Sequence, residues 1–279
     1  MNTPITQSQV IANFPKRPRD SHKGMYGTVT VIGGASGMTG APLLAGRAAL
    51  KLGAGCVHVV LLAENAPGFD PSQAELMLHK ASDALDLPGV LAVGCGLGRE
   101  IAAQQRVQDA LNSHAALVLD ADALNILAMR SDLCALLATR KFPTVLTPHP
   151  GEAARLLACE IKEVQAERNA AVLKLAQKFA CCVVLKGAGS LCVTTDGRLF
   201  VNQTGNPGMS AAGMGDVLTG MIAAFIAQGM TADDALLLAV HLHGAAGDAL
   251  AEQGLAIGMT ATELTERARW LLNLWLSRP

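Results

Sequence analysis

Six apolar runs recur along the chain without the alternation of a half-exposed strand: Thr28–Ile32, Cys56–Leu62, Val90–Val93, Leu117–Asp120, Thr144–Thr147 and Cys182–Lys186. Strands that read as nearly continuous apolar runs are covered on both faces, and the Ala/Leu-rich stretches between these runs supply the covering helices. The pattern predicts an α/β fold: a mostly parallel central sheet with helices on both faces. After Lys186 the rhythm changes. Leu191–Thr195 and Leu199–Val201 flank Asp196-Gly197, a dipeptide suited to a tight hairpin turn, so an antiparallel edge is expected beyond the parallel core. From Asp216 onward the pattern is helical, over 217–227, 232–252 and 262–276, with Gly229 and Gly254 near the breaks. No internal repeat or flexible linker divides the sequence, and one domain over residues 1–279 is expected, with residues 1–24 as a peripheral N-terminal arm.

Composition narrows the partners. The chain is 51% hydrophobic and long enough to bury a large core, while 22 basic residues against 23 acidic ones leave no positive excess for nucleic-acid binding. The polar, Pro-punctuated start lacks the apolar stretch of a signal peptide, and apolar runs such as 221–226 are far shorter than the ~20 residues that span a bilayer. A cytoplasmic protein with a small-molecule partner, and no membrane partner, is expected. Seven cysteines, odd in number and without C-x-x-C spacing, read as reduced core thiols.

Four glycine-rich segments follow predicted strands: 33–41 (GGASGMTGA), 94–98 (GCGLG), 186–190 (KGAGS), and 205–208 (GNPG) running on to 213–216 (GMGD). In an open parallel sheet, ligands sit at the carboxyl ends of strands, where glycine lets backbone N–H groups approach a phosphate. One such turn could be an ordinary β-to-α connection; four at one edge point to a phosphorylated ligand. Neither the P-loop nor the dinucleotide-binding glycine signature is present.

Gly213-x-Gly215-Asp216 opens a helix whose free N–H groups and dipole form an anion site. Asp216 beside it either accepts the proton of an attacking hydroxyl or simply caps the helix. Glu152, in His149-Pro150-Gly151-Glu152, either holds Mg²⁺ through water or complements a helix dipole. Asp120 and Asp122 point the same way if their strand continues, and then share a cation with Asn125 near; otherwise they cap the next helix. His241 and His243 diverge on a helix at i and i+2, unlike the i, i+4 pairs that chelate zinc.

Taken in order, HKG at 22–24, GGASGMTGA, DADALN at 120–125, LTPHPGEAARLL at 146–157, VLKGAG at 184–189 and NQTGNPGMSAAGMGDVLTG at 202–220 resemble the NAD(P)H-hydrate dehydratase family of the ribokinase-like superfamily, from Gly24 to the C-terminus. The resemblance implies a ribokinase-like fold and a hydro-lyase that returns the S-form of NADHX or NADPHX to NADH or NADPH. The C6 hydroxyl is phosphorylated by ADP (or ATP) with Mg²⁺, and phosphate is then eliminated. It implies Asp216 as base and Ala41, Gly98 and His149 as contacts to the hydrated nicotinamide nucleotide. Lys186, Gly187, Ala188, Gly189 and Ser190, with Asn206, Gly208, Met209, Gly213 and Gly215, match the adenine-nucleotide site. Cys95 stands where proline is usual, Ser190 where threonine is usual, and Ser210-Ala211-Ala212 where Gly or Thr is commoner. No companion epimerase domain is expected, so the resemblance implies a stand-alone form working with a separate epimerase, and a homo-oligomer, a tetramer, is implied as well. A vitamin-precursor or sugar kinase and a non-catalytic nucleotide-binding module remain alternatives.

Overall fold

The apolar runs form strands because each side chain along them has a hydrophobic layer to enter, whichever face it points to. In the computed structural model, which describes residues 2–82 and 88–277, Val29, Val31, Val57 and Val59 enter one layer while Ile32, Val60, Leu91 and Val93 enter the other, all buried. The strands are β1 (Thr3–Pro4), β2 (Thr28–Gly33), β3 (Cys56–Leu61), β4 (Met77–Lys80), β5 (Val90–Val93), β6 (Leu117–Leu119), β7 (Thr144–Leu146), β8 (Cys182–Leu185), β9 (Leu191–Val193) and β10 (Leu199–Val201). They form one sheet in the order β1-β10-β9-β8-β7-β6-β5-β2-β3-β4. Among the described residues only β9 runs against the others, pairing antiparallel with both neighbours.

One face carries α1 (Gln7–Ile11), α2 (Gly40–Lys51), α9 (Met214–Ala227), α10 (Ala232–Glu252) and α11 (Ala261–Ser277). The other carries α3 (Ile101–Asn112), α4 (Ala121–Met129), α5 (Ser131–Ala138), α6 (Pro150–Leu157), α7 (Ile161–Ala166) and α8 (Arg168–Phe179). The fold is α/β, a mostly parallel sheet with helices on both faces. Helices α2 and α9 touch backbone to backbone: a Cβ on Gly220 would lie 2.1 Å from the Ala45 carbonyl oxygen, so only glycine permits this approach.

The expected hairpin is present as β9 and β10, but the outermost strand is β1, which pairs parallel with β10. Residues 2–24 are pinned at several points. Ile5 N–H donates to the Val201 carbonyl at 3.0 Å, Val10 is buried, and the Arg17 guanidinium reaches the Gly53 carbonyl and Gln228 while lying over the Tyr26 ring. The other strand outside the sequence reading, β4, is a half-exposed edge strand (MLHK) without an apolar run.

Candidate functional site

The chain leaves β2 toward β3 and β4, then returns to the other side of β2 as β5 and proceeds outward through β6, β7 and β8. This reversal creates a crevice between the carboxyl ends of β2 and β5, the place where open α/β sheets bind ligands. Its walls are the turns 33–41 and 94–98, joined by Gly34 N–H to Cys95 carbonyl (3.1 Å) and Ala35 N–H to Gly96 carbonyl (2.7 Å). Gly94, at φ +128, sets the floor: a Cβ there would fall 1.8 Å from the Asp120 carbonyl oxygen. Gly98 N–H donates to Asp122 Oδ2 at 3.0 Å, which fixes the end of the second turn.

Beside the crevice stands the head of α9. Gly213 adopts φ +87 to turn the chain into the helix, so the N–H groups of the first turn point toward the strand ends unpaired by any earlier helical carbonyl. Asp216 lies in this turn. Burial raises its pKa to about 6, an effect to which the Asp120 charge adds and which a hydrogen bond from the Cys95 thiol and the charge of Lys186 oppose. Cys95 belongs to the crevice wall, so Asp216 touches that side through Cys95.

Behind Asp216 is a cluster of two carboxylates on one ammonium. Lys186 Nζ lies 2.7 Å from Asp120 Oδ1 and 4.0 Å from Glu152 Oε2. Burial lowers the Lys186 pKa, but Asp120 and Glu152 outweigh that and the net shift is upward, so Lys186 stays charged. Glu152, 5% exposed, is pushed up to about 7, first by burial and against the pull of Lys186. It also closes a capping box at the head of α6: His149 Nδ1 accepts from Gly151 N–H, and Glu152 Oε2 accepts from His149 N–H at 2.8 Å. With Asp216 counted, three carboxylates face one lysine, a negative surplus that suits a divalent cation. Hard carboxylate oxygens on Glu152 and Asp120 are the donors Mg²⁺ prefers, with water and nucleotide phosphates completing its shell.

On the far side of Lys186 opens a cavity of about 710 Å³, within the range of small-molecule sites. Its wall runs from Lys186–Ser190 through 201–207 to Met214 and Gly215. The loop 202–206 is stitched to α10 by side chains. Asn202 Nδ2 donates to the Val240 carbonyl (3.3 Å), Thr204 Oγ1 to the His241 carbonyl (3.0 Å), and Asp248 accepts from Gly205 N–H (2.8 Å) and Asn206 Nδ2 (3.0 Å). His243 lines the cavity and gives its Nε2–H to the Met214 carbonyl at 2.9 Å; burial lowers its pKa to about 4, so it is neutral at pH 7.

A family model for NAD(P)H-hydrate dehydratase matches residues 29–269. The chain belongs to the NAD(P)H-hydrate dehydratase family. It is 43% identical to an ADP-dependent (S)-NAD(P)H-hydrate dehydratase of Neisseria meningitidis, over 93% of this chain and 90% of that one. It is 40% identical to a bifunctional NAD(P)H-hydrate repair enzyme of Coxiella burnetii, covering 93% of this chain but 53% of that longer protein. A crystal structure of the ADP/ATP-dependent NAD(P)H-hydrate dehydratase from Bacillus subtilis, co-crystallised with ATP/Mg²⁺, superposes with a TM-score of 0.89 at 32% identity, covering 99% of both chains.

Within this dehydratase fold, Lys186, Gly187, Ala188, Gly189, Ser190, Asn206, Met209 and Gly215 line the cavity. Gly208 and Gly213 support it from outside the lining, Gly208 by donating its N–H to Asn206 Oδ1 and Gly213 as the cap of α9. Ala41 packs beside Gly96 at the crevice, where Gly98 also lies, and His149 stands half-exposed at the head of α6. The strand reading of Asp120 and Asp122 does not hold. β6 stops at Leu119 and Asp120 caps α4, so the two side chains diverge, Asp120 toward Lys186 and Thr219, Asp122 toward Gly98 and Arg99. Asp248, Thr219 and His243 were outside the sequence reading of the site; the available signal is a polar residue interrupting an apolar helix.

Proposed function

We propose that this chain uses ADP or ATP to dehydrate the S-form of NADHX and NADPHX, with Asp216 as the base that starts the reaction. The observation that carries this reading is the position of Asp216, at a helix N-terminus between the crevice turns and the nucleotide-sized cavity. Hydroxide leaves a carbon poorly, so the substrate's C6 hydroxyl must first be converted into a better leaving group. Asp216 takes the hydroxyl proton as its oxygen bonds to the terminal phosphorus of the nucleotide, and the bond to the bridging oxygen breaks. ADP becomes AMP, or ATP becomes ADP. Lys186 and the first-turn N–H groups of α9 balance charge on the transferring group. The ring-nitrogen lone pair then expels phosphate, and loss of the C5 proton restores the ring double bond. Glu152 and Asp120, with water, would hold Mg²⁺, which would supply charge neutralisation on the phosphates.

The crevice side, with Ala41, Gly98 and His149, takes the hydrated nicotinamide nucleotide; the cavity side takes the adenine nucleotide. We further propose a cytoplasmic homo-oligomer supplied with the S-epimer by a separate epimerase. Among the described residues no helix is long and apolar enough to cross a membrane.

The test is recovery of NADH absorbance from purified protein, (S)-NADHX and Mg²⁺ with ADP or ATP. Recovery is expected with a nucleotide and none without. A stable phosphorylated product would instead make the chain a kinase, and folded protein that binds nucleotide without turnover would make it a binding module. Asp216→Asn is expected to keep nucleotide binding and lose turnover by ~10²-fold or more, the scale of general-base contributions.

A further inference from the structure

We propose that Thr219 is a positioning residue for phosphoryl transfer, holding the head of α9, and with it Asp216, in place through its hydrogen bond to Asp120. The inference rests on the reading of Asp216 as the base. Asp216 and Thr219 are three residues apart on α9 and therefore share one face of the helix. Thr219 is fully buried, and its Oγ1 donates to Asp120 Oδ2 at 2.8 Å.

The direction of that bond is unusual for a helix interior. A buried threonine there commonly donates back to the carbonyl four residues earlier, as Thr265 in α11 does to Ala261 at 2.9 Å. Thr219 instead spends its hydroxyl on a residue 99 positions away in sequence, at the end of β6. The other polar ties of the α9 head lie in its first turn, where His243 Nε2–H reaches the Met214 carbonyl at 2.9 Å and the Cys95 thiol reaches Asp216. Below that turn Val217, Leu218, Met221 and Ile222 make apolar contacts, which set distance better than rotation, and the bond to Asp120 fixes the rotation there.

Asp120 is a firm anchor. Its Oδ1 accepts from Lys186 Nζ (2.7 Å) and Ala121 N–H (2.8 Å), and its own N–H is bound to the Val93 carbonyl at 3.1 Å. The next residue, Ala121, is held at φ +48, a conformation a non-glycine residue keeps only where its surroundings enforce it. Thr219, Asp120 and Lys186 thus link the head of α9 to the ends of β6 and β8. Lys186 Nζ passes 3.4 Å from where a Cβ on Gly215 would be, so the ammonium lies against the turn that would receive the phosphoryl group.

Thr219→Val replaces the hydroxyl with a methyl of matching shape. A misaimed base lowers the chemical step while leaving the nucleotide cavity intact, so kcat is expected to fall on the order of 10- to 100-fold with KM for ADP, and ADP affinity by calorimetry, within about twofold. Thr219→Ser, which keeps the donor, restores kcat. A wild-type kcat in Thr219→Val, a joint loss of kcat and ADP affinity, or a serine variant as slow as the valine variant each overturns the proposal. If the valine variant does not fold, Thr219→Ala is read by the same criteria, and the serine variant must still work. Asp216→Asn separates this proposal from the one beneath it. Turnover in that variant removes the base itself, whereas an inactive Asp216→Asn beside a normal Thr219→Val removes only the positioning role.

Discussion

The two halves of the site are held by different means. The crevice between β2 and β5 is locked by main chain: two glycine-rich turns exchange backbone hydrogen bonds, and missing Cβ atoms let strand ends and turns touch. The cavity beside Lys186 is held by side chains, with Asn202, Thr204 and Asp248 fastening a loop onto α10. A main-chain lock shares its atoms with the sheet, so damaging it damages the fold. Side-chain stitches can be cut singly, and the sheet stays whole.

The sharpest way to break this contrast is Gly94→Ala. With φ at +128 and a methyl 1.8 Å from the Asp120 carbonyl, the variant combines backbone strain with overpacking. A loss of about 2–6 kcal/mol is expected by denaturant unfolding. A wild-type transition midpoint would show that the crevice is not main-chain locked. Cutting a stitch has the opposite signature. Asp248→Ala frees Gly205 N–H and Asn206, and KM for ADP should rise on the order of 10-fold, the size of a lost charge-assisted hydrogen bond, with kcat and melting temperature nearly unchanged. A large fall in melting temperature there would erase the distinction.

Asp216 lies on the seam between the halves, and its ionisation reports on both. A general base must be charged to accept a proton, and the Asp216 pKa is raised to about 6, so the proposed role predicts a rate that falls as pH drops through about 6 and levels off above it. At the low end of the limb the loss approaches tenfold per pH unit, and an acid limb near pH 4 would mean that Asp216 is not the group being titrated. The smallest effect expected lies outside both halves. Ala180 ends α8 at φ +48, a left-handed position that favours glycine, and Ala180→Gly should raise stability by about 0.5–1 kcal/mol without altering turnover.

The same contrast decides what was legible in the sequence. Strands covered on both faces announce themselves as apolar runs, and six of them stand where that pattern puts them; β4, half-exposed, and β1, two residues long, carry no such mark. The glycine-rich turns were legible because their chemistry is local. The stitches were not, because Asp248 and Gly205 lie 43 residues apart and nothing in either neighbourhood announces the pairing. Asp120 shows the boundary between the two cases. Its position at a strand end could be read, but whether it continued the strand or capped a helix depended on a lysine 66 residues away and a threonine 99 residues away. Both partners lie beyond any local window.

The pairing of Thr3–Pro4 with Phe200–Val201 gives the molecule an order in time. Thr3 and Pro4 cannot complete this pairing until nearly two hundred later residues have been synthesised and β9 has reversed to set β10 in place. The sheet grows outward from β2 as the chain emerges, and its last edge is closed by residues made before β2 itself.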